Sequence, residues 1–417
     1  MNNTELESLR SALEISDFRK LICLNFFLTL SVLMLEVLVS YEFYKVTKDP
    51  MSLGLIGLAI AVPYISVTLL GGHLADKMNK KWIMLLSMLL ILTISLFFVF
   101  IFSTYGNACL TLPQKVLCIY LFFGISGLAR GFYQPAASSF RPYILPRHLY
   151  ANGSTWNSTA WQLGSIGGSL IAGFGYAQFG LEYSLMVSSG LMVIAIALLI
   201  SIQTKSPRGI TQPSEHNIYE SIREGFVFVL NNKILLYSLA LDLVAVLFAG
   251  VVAILPIFAQ DILNVGATGL GYLRAAPSIG AFMGLIIMTK VSPMESAWRN
   301  MIVAVVGFGI ATLIFAVSTN IYLSLSMLFL TGAFDSISVV IRGSLLQLIP
   351  PDYIRGRVLA VNNIFVSSSN ELGAFESGLM ARIMGTVPSV IFGGAFTIAT
   401  IILVYFNSKE LLGKKIS

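Results

Sequence analysis

Long apolar runs dominate this chain, and each has about the length that a membrane-crossing helix requires. About 20 consecutive apolar residues span the hydrocarbon core of a bilayer as an α-helix. Twelve such runs occur, at approximately 20–44, 53–75, 82–103, 116–139, 153–176, 183–203, 233–260, 269–289, 299–317, 321–345, 357–381 and 387–406. The pattern therefore predicts an all-α membrane protein with twelve transmembrane helices.

The fifth and eleventh runs are less purely apolar, because they are rich in Gly, Ser and Asn. Small residues let helices approach closely, so we expect these two helices inside a bundle rather than against lipid. The composition agrees with a membrane protein. Hydrophobic residues make up 56% of the chain and charged residues 11%, whereas a soluble domain carries about 25% charged residues.

Basic residues are divided unequally between the two sets of loops. An even number of spans places both termini on one side of the membrane. Of the 26 basic residues, most lie on the side of the termini. The exceptions are Lys45, Lys48, Lys115 and Arg382 on the other side, and Arg130, Arg274 and Arg342 within spans. The positive-inside rule then predicts cytoplasmic termini, and it explains the net charge of +6 without a nucleic-acid partner.

A polar segment, 204–232, separates the sixth and seventh runs. Its first half contains Pro and Gly and is typical of a linker. In its second half, apolar residues recur at helical spacing, at Ile218, Ile222, Phe226 and Val229. This pattern predicts an amphipathic helix on the cytoplasmic membrane surface. We therefore expect an N-terminal six-helix bundle over 1–203 and a C-terminal one over 233–417.

The two halves of the chain resemble each other. At one common spacing, five residues of the first half match the same residue type in the second: Gly127 with Gly332, Pro146 with Pro351, Asn157 with Asn362, Gly168 with Gly373 and Gly173 with Gly378. At a spacing one residue longer, Glu36 matches Asp242. The repeat predicts two pseudo-symmetric bundles. Repeats of this kind are typical of secondary transporters, whose substrate site lies between them.

The loop between the second and third spans reads "GGHLADKMNKKWIM". Its spacing of a Gly, an Asp and basic residues resembles the signature loop of the major facilitator superfamily, although Asn79 stands where that family usually has Gly. The resemblance implies a loop that locks the cytoplasmic gate, formed by Gly72, Asp76, Lys77, Lys80 and Lys81. A simple topology anchor is the alternative. For the last two lysines, anchoring at the anionic leaflet is an equal alternative.

Longer stretches carry a more specific resemblance. They are "YQPAASSFRPYILP" from Tyr133, "LRAAPSIGA" from Leu273 and the segment 337–378. All three resemble the branch of the superfamily that contains the bacterial enterobactin exporter and related macrolide and drug effluxers. The resemblance covers all twelve spans. It implies a monomer in the bacterial inner membrane that exports a siderophore, drug or similar amphipathic molecule by alternating access and proton antiport. A substrate-specific importer or a lipid flippase on the same scaffold is the alternative.

Ionisable residues within the spans are candidates for function, because a charge in hydrocarbon is costly. Glu36 and Asp242 are equivalent in the repeat, and the resemblance places their helices along the central cavity, so we favour one of them as the proton site. A fixed ion pair, for example with Arg130, is the alternative. Arg130 and Asp335 are also equivalent, with opposite charge, and both are candidates for proton coupling. We expect Arg342 to extend its guanidinium to the interface.

Polar and aromatic residues near these charges are candidates for a substrate cavity. A large apolar cavity with a few polar groups suits an amphipathic or aromatic solute. Glu371 and Glu376 point about 140° apart on a helix, so only one of them can face a small site, and we favour Glu371. The cavity candidates are Glu371, Asn370, Tyr41, Tyr133, Trp161 and Gln162. The alternative for the aromatic residues is packing or anchoring at an interface.

Other classes of protein are disfavoured by what the sequence lacks. The three histidines are far apart, and the three cysteines have no metal or redox spacing, so neither a metal site nor a cofactor is predicted. No nucleotide-binding loop or nucleophile motif occurs, which argues against an ATP-driven pump in one chain and against a polytopic membrane enzyme. Cys109 and Cys118 are either free thiols or, if both face an oxidising side, a disulfide.

Overall fold

The computed structural model describes residues 11–203 and 218–411, and helices account for nearly all of them. A long helix occurs at each predicted span. We label them Ser16–Thr47 (α1), Pro50–Lys77 (α2), Lys80–Phe102 (α3), Leu112–Phe140 (α4), Tyr150–Ser201 (α5 and α6), Lys233–Ala249 (α7), Gly266–Met288 (α8), Ala297–Val317 (α9), Ile321–Leu348 (α10), Asp352–Met384 (α11) and Thr386–Asn407 (α12). No strand occurs in these two ranges. The predicted twelve-helix, all-α fold is confirmed.

Shorter helical segments connect these helices. They are Ser11–Glu14, Thr104–Cys109, Arg141–Tyr143, Arg147–Leu149, Ile218–Asn231, Val252–Ile254, Leu255–Ile257, Phe258–Ile262, Pro293–Ser296 and Lys409–Leu411. Ten helical stretches in the described residues are long and apolar enough to cross a membrane, and one of them contains both α5 and α6. The stretch Asp352–Met384 is not among the ten, in keeping with the polar composition of the eleventh predicted span.

A single glycine separates α5 from α6. The continuous stretch Tyr150–Ser201 has 52 residues, which is about 78 Å at 1.5 Å per residue and far more than one bilayer crossing needs. Within it, Gly180 has φ 79° and ψ 177°. Glycine populates this region without the steric penalty that a Cβ would bring. The chain therefore turns at Gly180, inside the predicted break between 176 and 183.

The segment after α7 is irregular. It ends in a π-helical turn, Phe258–Ile262, a geometry that is rare and is often found at functional positions. Asp261 on this turn accepts a hydrogen bond from the Tyr44 hydroxyl, and its Oδ1 lies 2.6 Å from the Nζ of Lys48. The turn therefore holds the end of α1 through one carboxylate.

Contacts divide the described residues into two compact units. The first unit consists of 11–43, 59–203 and 266–275, and the second consists of 44–58, 218–265 and 276–411. Each has its own apolar core, which includes Phe18 and Met84 in the first unit and Trp298 and Met301 in the second. The predicted domain borders, at 1–203, 204–232 and 233–417, remain a prediction.

The predicted amphipathic helix is present as Ile218–Asn231 and packs on α11 within the second unit. A Cβ built on Gly225 would lie 2.7 Å from the carbonyl oxygen of Arg357, and Glu224 forms an ion pair with the same arginine. The first part of the predicted linker, 204–217, lies outside the described residues.

The glycines matched by the internal repeat make equivalent helix contacts. In α4, a Cβ on Gly127 would clash with the carbonyl oxygen of Ile60 in α2. In α10, a Cβ on Gly332 would clash with the carbonyl oxygen of Pro277 in α8. The fourth helix of each half thus packs a glycine directly against the second helix of that half.

The fifth helix of each half repeats this arrangement with the first helix. A Cβ on Gly168 in α5 would lie 2.7 Å from the carbonyl oxygen of Leu30 in α1, and a Cβ on Gly373 in α11 would lie 2.8 Å from that of Val246 in α7. Since both pairs of matched glycines join equivalent helices, the predicted pseudo-symmetry of the two halves is confirmed.

The two cysteines that could have formed a disulfide are separate. Cys109 ends the short helix Thr104–Cys109 and is exposed, whereas Cys118 lies in α4 and is partly buried. Both are free thiols. The structure therefore selects the first of the two alternatives for this pair.

Gly332 and Gly343 lie on the same helix but differ in their contacts. A Cβ on Gly332 would clash with a neighbouring helix, whereas no atom of the described residues lies within 4 Å of a Cβ built on Gly343. We expect Gly332→Ala to destabilise the full chain by about 1–3 kcal/mol, the range for overpacking. Gly343→Ala should be neutral or stabilising by up to about 1 kcal/mol, because Ala favours helix. Thermal unfolding in detergent measures both. Equal midpoints for the two variants would contradict the close contact of α8 and α10.

Candidate functional site

Two arginines from different helices hold the carboxylate of Glu36 in α1. Arg130 in α4 donates a hydrogen bond to Oε1, and Nη2 of Arg274 in α8 lies 3.8 Å from Oε2. The side chains of Glu36, Arg130 and Arg274 are 23%, 26% and 12% exposed. We call these three residues the Glu36 cluster. It combines one negative and two positive charges at a partly accessible position in the first unit.

Glycine contacts position the two arginines. On α4, Gly127 and Gly131 face α2, and a Cβ on Gly131 would lie 3.1 Å from the carbonyl oxygen of Tyr64. Arg130 projects from the same helix toward α1. On α8, a Cβ on Gly271 would lie 2.8 Å from the carbonyl oxygen of Ser169 in α5. Arg274 lies about one turn beyond this contact. The glycine contacts thus fix α4 against α2 and α8 against α5, and these two helices carry the arginines.

Asp242, the equivalent acid in the second unit, is in a different environment. It forms an ion pair with Arg342 of α10, and both side chains are 6% exposed. The prediction that Arg342 extends to the interface is wrong, because the carboxylate of Asp242 provides a counter-charge at depth. Both candidates for the proton site are thus in ion pairs, as the stated alternative described. In each half, an acid of the first helix pairs with an arginine of the fourth.

Asp335 in α10 is partly buried and forms no ion pair or hydrogen bond with any residue that the structure describes. Its equivalent in the repeat, Arg130, pairs with Glu36. The predicted charge relation between Arg130 and Asp335 therefore stays a prediction.

Polar residues occupy exposed faces of α4 and α5 in the first unit. Gln134 and Ser138 follow Arg130 at intervals of four residues along α4, which places the three on one face. In the first half of α5, the exposed residues include Ser154, Ser158 and Trp161, the last with 51% of its surface exposed. Polar side chains are unfavourable against lipid tails. We therefore expect these faces to line an aqueous path that leads to the Glu36 cluster.

The other aromatic candidates are packed inside the first unit. The hydroxyl of Tyr133 lies 3.5 Å from Oδ1 of Asn25, and Tyr41 packs edge-on against Tyr176 with ring centroids 5.0 Å apart. Gln162 is also buried, and its Oε1 has no hydrogen-bond partner within the described part of the chain. Of these predicted cavity residues, Trp161 is thus the accessible one.

The signature stretch of α11 is a site of close helix packing in the second unit. A Cβ on Gly378 would lie 2.6 Å from the Cα of Gly54, and a Cβ on Gly57 would lie 2.8 Å from the carbonyl oxygen of Glu371. Glu371 is partly buried, whereas Asn370 is exposed and donates a hydrogen bond to a backbone carbonyl one turn earlier in its own helix. Their predicted role as substrate contacts stays a prediction.

The signature loop joins α2 to α3. Of the predicted gating residues, Gly72, Asp76 and Lys77 lie where the structure describes the helix but not the surroundings of each residue. Lys81 donates hydrogen bonds to the carbonyl oxygens of Ile200 and Ile202, at 2.9 and 2.6 Å, and Lys80 is buried with Nζ 5.3 Å from the ring centroid of Tyr143. Lys81 therefore caps the C-terminus of α6, where cations are favourable. The predicted roles of the loop as a gate or an anchor stay predictions.

Arg274 is the member of the site that sequence reasoning missed. The sequence places it within a span, but it has no charged counterpart in the internal repeat, and no local pattern predicts a role for it. The available signal was its setting, the run "LGYLRAAPSIGA", in which no acidic residue occurs. A guanidinium in such a run needs a counter-charge from another helix, and Glu36 provides it.

Comparison with known proteins agrees with this architecture. The family model of the Major Facilitator Superfamily matches residues 21–374. The Enterobactin exporter EntS of Shigella dysenteriae serotype 1 (strain Sd197) is 24% identical over 382 residues, which cover 90% of this chain and 88% of the exporter. The protein of the same name from Escherichia coli O1:K1 shows the same identity and coverage.

Solved transporter structures share the fold. The nucleoside transporter NupG aligns with a TM-score of 0.73 and 13% identity over 96% of this chain and 100% of its own. A bacterial homolog of the human lysosomal transporter Spinster aligns with a TM-score of 0.69 and 17% identity, over 96% of this chain and 98% of its own. Since the family model covers most of the chain and the twelve helices carry the expected internal repeat, this multi-pass membrane protein belongs to the Major Facilitator Superfamily of transporters.

Proposed function

We propose that this protein exports a siderophore, drug or similar amphipathic small molecule from the cytoplasm, by alternating access and in exchange for protons. The observation that carries the proposal is the Glu36 cluster, a partly accessible group of three charges beside exposed polar faces of α4 and α5. Intramembrane charges of this kind mark substrate or ion pathways. The similarity to Enterobactin exporter EntS over 90% of the chain supports the direction of transport.

Three of the intramembrane acids are proposed to have different tasks. Glu36 and its arginines form the substrate site, because they are accessible and carry hydrogen-bonding capacity toward a solute. Asp242 holds α7 to α10 through its buried pair with Arg342. Asp335 carries the proton, because it can change protonation without breaking an ion pair. Exchange then requires that substrate and proton bind in alternation.

The proposed orientation places both termini in the cytoplasm of a bacterial inner membrane, with the protein acting as a monomer. The unequal distribution of basic residues supports this orientation. The loop between α2 and α3 is then cytoplasmic, where Gly72, Asp76 and Lys77 would control the cytoplasmic gate.

Transport in inside-out membrane vesicles tests the function, with enterobactin as the probe and an acidic lumen as the driving force. We expect accumulation that a protonophore abolishes. Asp335→Asn should reduce gradient-driven accumulation about tenfold or more, because the exchange loses its proton carrier. Glu36→Gln should retain its response to the gradient. Accumulation that does not depend on the pH gradient would contradict proton coupling. No accumulation of enterobactin under any gradient would exclude enterobactin as the substrate.

Asp242→Asn is the matched comparison, since it removes an equivalent intramembrane acid that we assign to packing. Leaving Arg342 buried without its counter-charge should destabilise the protein by about 3–5 kcal/mol. The double variant Asp242→Asn/Arg342→Gln should recover most of that loss, as measured by thermal unfolding. Full stability of Asp242→Asn, combined with loss of the response to the gradient, would reassign the proton to Asp242.

Cysteine labelling tests the orientation. Cys109 is exposed and lies in a loop that should face away from the cytoplasm. As the sole cysteine, it should react with a membrane-impermeant maleimide in intact cells. Gln212→Cys, in a cysteine-free background, should react only after permeabilisation. The reverse pattern would invert the proposed topology.

A further inference from the structure

We infer that Gln162 in α5 is a specificity-determining residue. Its buried amide oxygen accepts a hydrogen bond from an N–H or O–H group of the transported molecule, while Trp161 contacts an adjacent aromatic ring of that molecule. The inference rests on the proposed function, in which the exposed faces of α4 and α5 line the path of the substrate. It narrows the substrate from any amphipathic molecule to an aromatic one that carries a neutral hydrogen-bond donor.

The amide oxygen of Gln162 is buried without a partner. The residue is 8% exposed, and no residue that the structure describes donates a hydrogen bond to its Oε1. A buried polar atom without a hydrogen bond destabilises a protein, and the large majority of buried polar atoms have one. A hydrogen-bond donor on a bound solute would remove this cost.

Other amides of the first unit do have partners. Nδ2 of Asn25 in α1 donates a hydrogen bond to Oδ1 of Asn157 in α5 at 2.6 Å, and the hydroxyl of Tyr133 lies 3.5 Å from Oδ1 of Asn25. Asn157 precedes Gln162 by little more than one turn of the same helix. The fold therefore provides a partner for a neighbouring amide but none for the amide oxygen of Gln162 among the described residues.

An exposed polar face leads along α5 to this glutamine. Ser154, Ser158 and Gln162 follow one another at intervals of four residues, which places them on one face of the helix. Both serines are exposed, whereas Gln162 is buried. The face thus changes from accessible to closed at Gln162, so a solute that moves along it meets the amide where the exposed part ends.

Trp161 borders the same position and is 51% exposed. Ser158 precedes Trp161 by three residues and Gln162 by four, so it lies between these two side chains on the helix surface. The indole ring offers a large apolar surface on which an aromatic ring can pack. An apolar surface combined with a few placed polar groups is typical of small-molecule sites.

The internal repeat requires neither residue. At the spacing that the repeated glycines define, Trp161 corresponds to Val366 and Gln162 to Ser367. The fifth helix of each half nevertheless makes equivalent glycine contacts with the first helix. This packing therefore occurs with and without a tryptophan and a glutamine at these positions, as expected if the two residues serve a ligand rather than the fold.

Binding to the purified full chain in lipid nanodiscs tests the inference without any gradient. The probes are naphthamide, whose N–H groups can donate, and methyl naphthoate, which has the same ring and a carbonyl group but no donor. We expect Gln162→Met to lower the ratio of naphthamide affinity to methyl naphthoate affinity about tenfold or more, because the ester leaves the glutamine unpaired only in the wild type. Trp161→Leu should weaken the binding of both probes and leave the ratio unchanged.

Thermal unfolding of the ligand-free protein separates this role from a structural one. Gln162→Met should raise the unfolding midpoint, because it removes a buried polar atom that has no partner. An amide that is held by the fold or by a resident water would give a lower midpoint when it is replaced. Gln162→Leu repeats both measurements should Gln162→Met not fold.

Gln347→Met is the matched control, because Gln347 is an exposed glutamine on α10 of the second unit. It should leave the affinity ratio unchanged. Either an unchanged ratio or a lower midpoint in Gln162→Met would overturn the inference. A ratio that depends on Gln162, in a protein that exports no enterobactin, would support the binding site and refute enterobactin export. Proton-driven export of enterobactin with an unchanged ratio would refute the binding site alone.

Discussion

A charged side chain within a bilayer has no bulk water to solvate it, so each one requires a counter-charge, hydrogen bonds or an aqueous path. This requirement distinguishes the environments of the charged residues inside the protein. Asp242 and Arg342 neutralise each other in a closed environment, where they link α7 to α10. Glu36, Arg130 and Arg274 form a partly accessible cluster of one acid and two arginines. Asp335 has no counter-charge among the described residues. The proposed tasks follow these three environments: packing, substrate binding and proton exchange.

The packing of the helices that carry these charges depends on contacts that only small residues permit. A side chain reaches a partner on another helix when the backbones lie close, and glycine removes the Cβ that would hold them apart. Gly127 and Gly332 provide this approach for the fourth helix of each half, and Gly168 and Gly373 provide it for the fifth. The same helix packing therefore occurs within each half, while the charges on equivalent helices differ. Similar scaffolds with different charges are consistent with a transport function that resides in a few side chains.

Much of the fold could be predicted from the sequence, because hydropathy and glycine spacing are local signals. They indicated the twelve helices, the break that Gly180 makes and the glycine matches of the repeat. The site was harder to predict, because its ion pairs join residues that are far apart in the chain. The sequence identified Glu36, Asp242 and Arg130 as candidates but not which of them pair, and it assigned Arg342 to the interface. Arg274 was missed because its counter-charge comes from another helix, a relation that no local pattern encodes.

Infrared difference spectroscopy of carboxyl groups tests most directly which residue carries the proton. A protonated carboxyl group within the membrane gives a C=O stretching band that appears and disappears as the pH changes. If Asp335 carries the proton, Asp335→Asn removes the titrating band and Glu36→Gln leaves it in place. Loss of the band in Glu36→Gln, with the band unchanged in Asp335→Asn, would contradict the separation of the proton site from the substrate site.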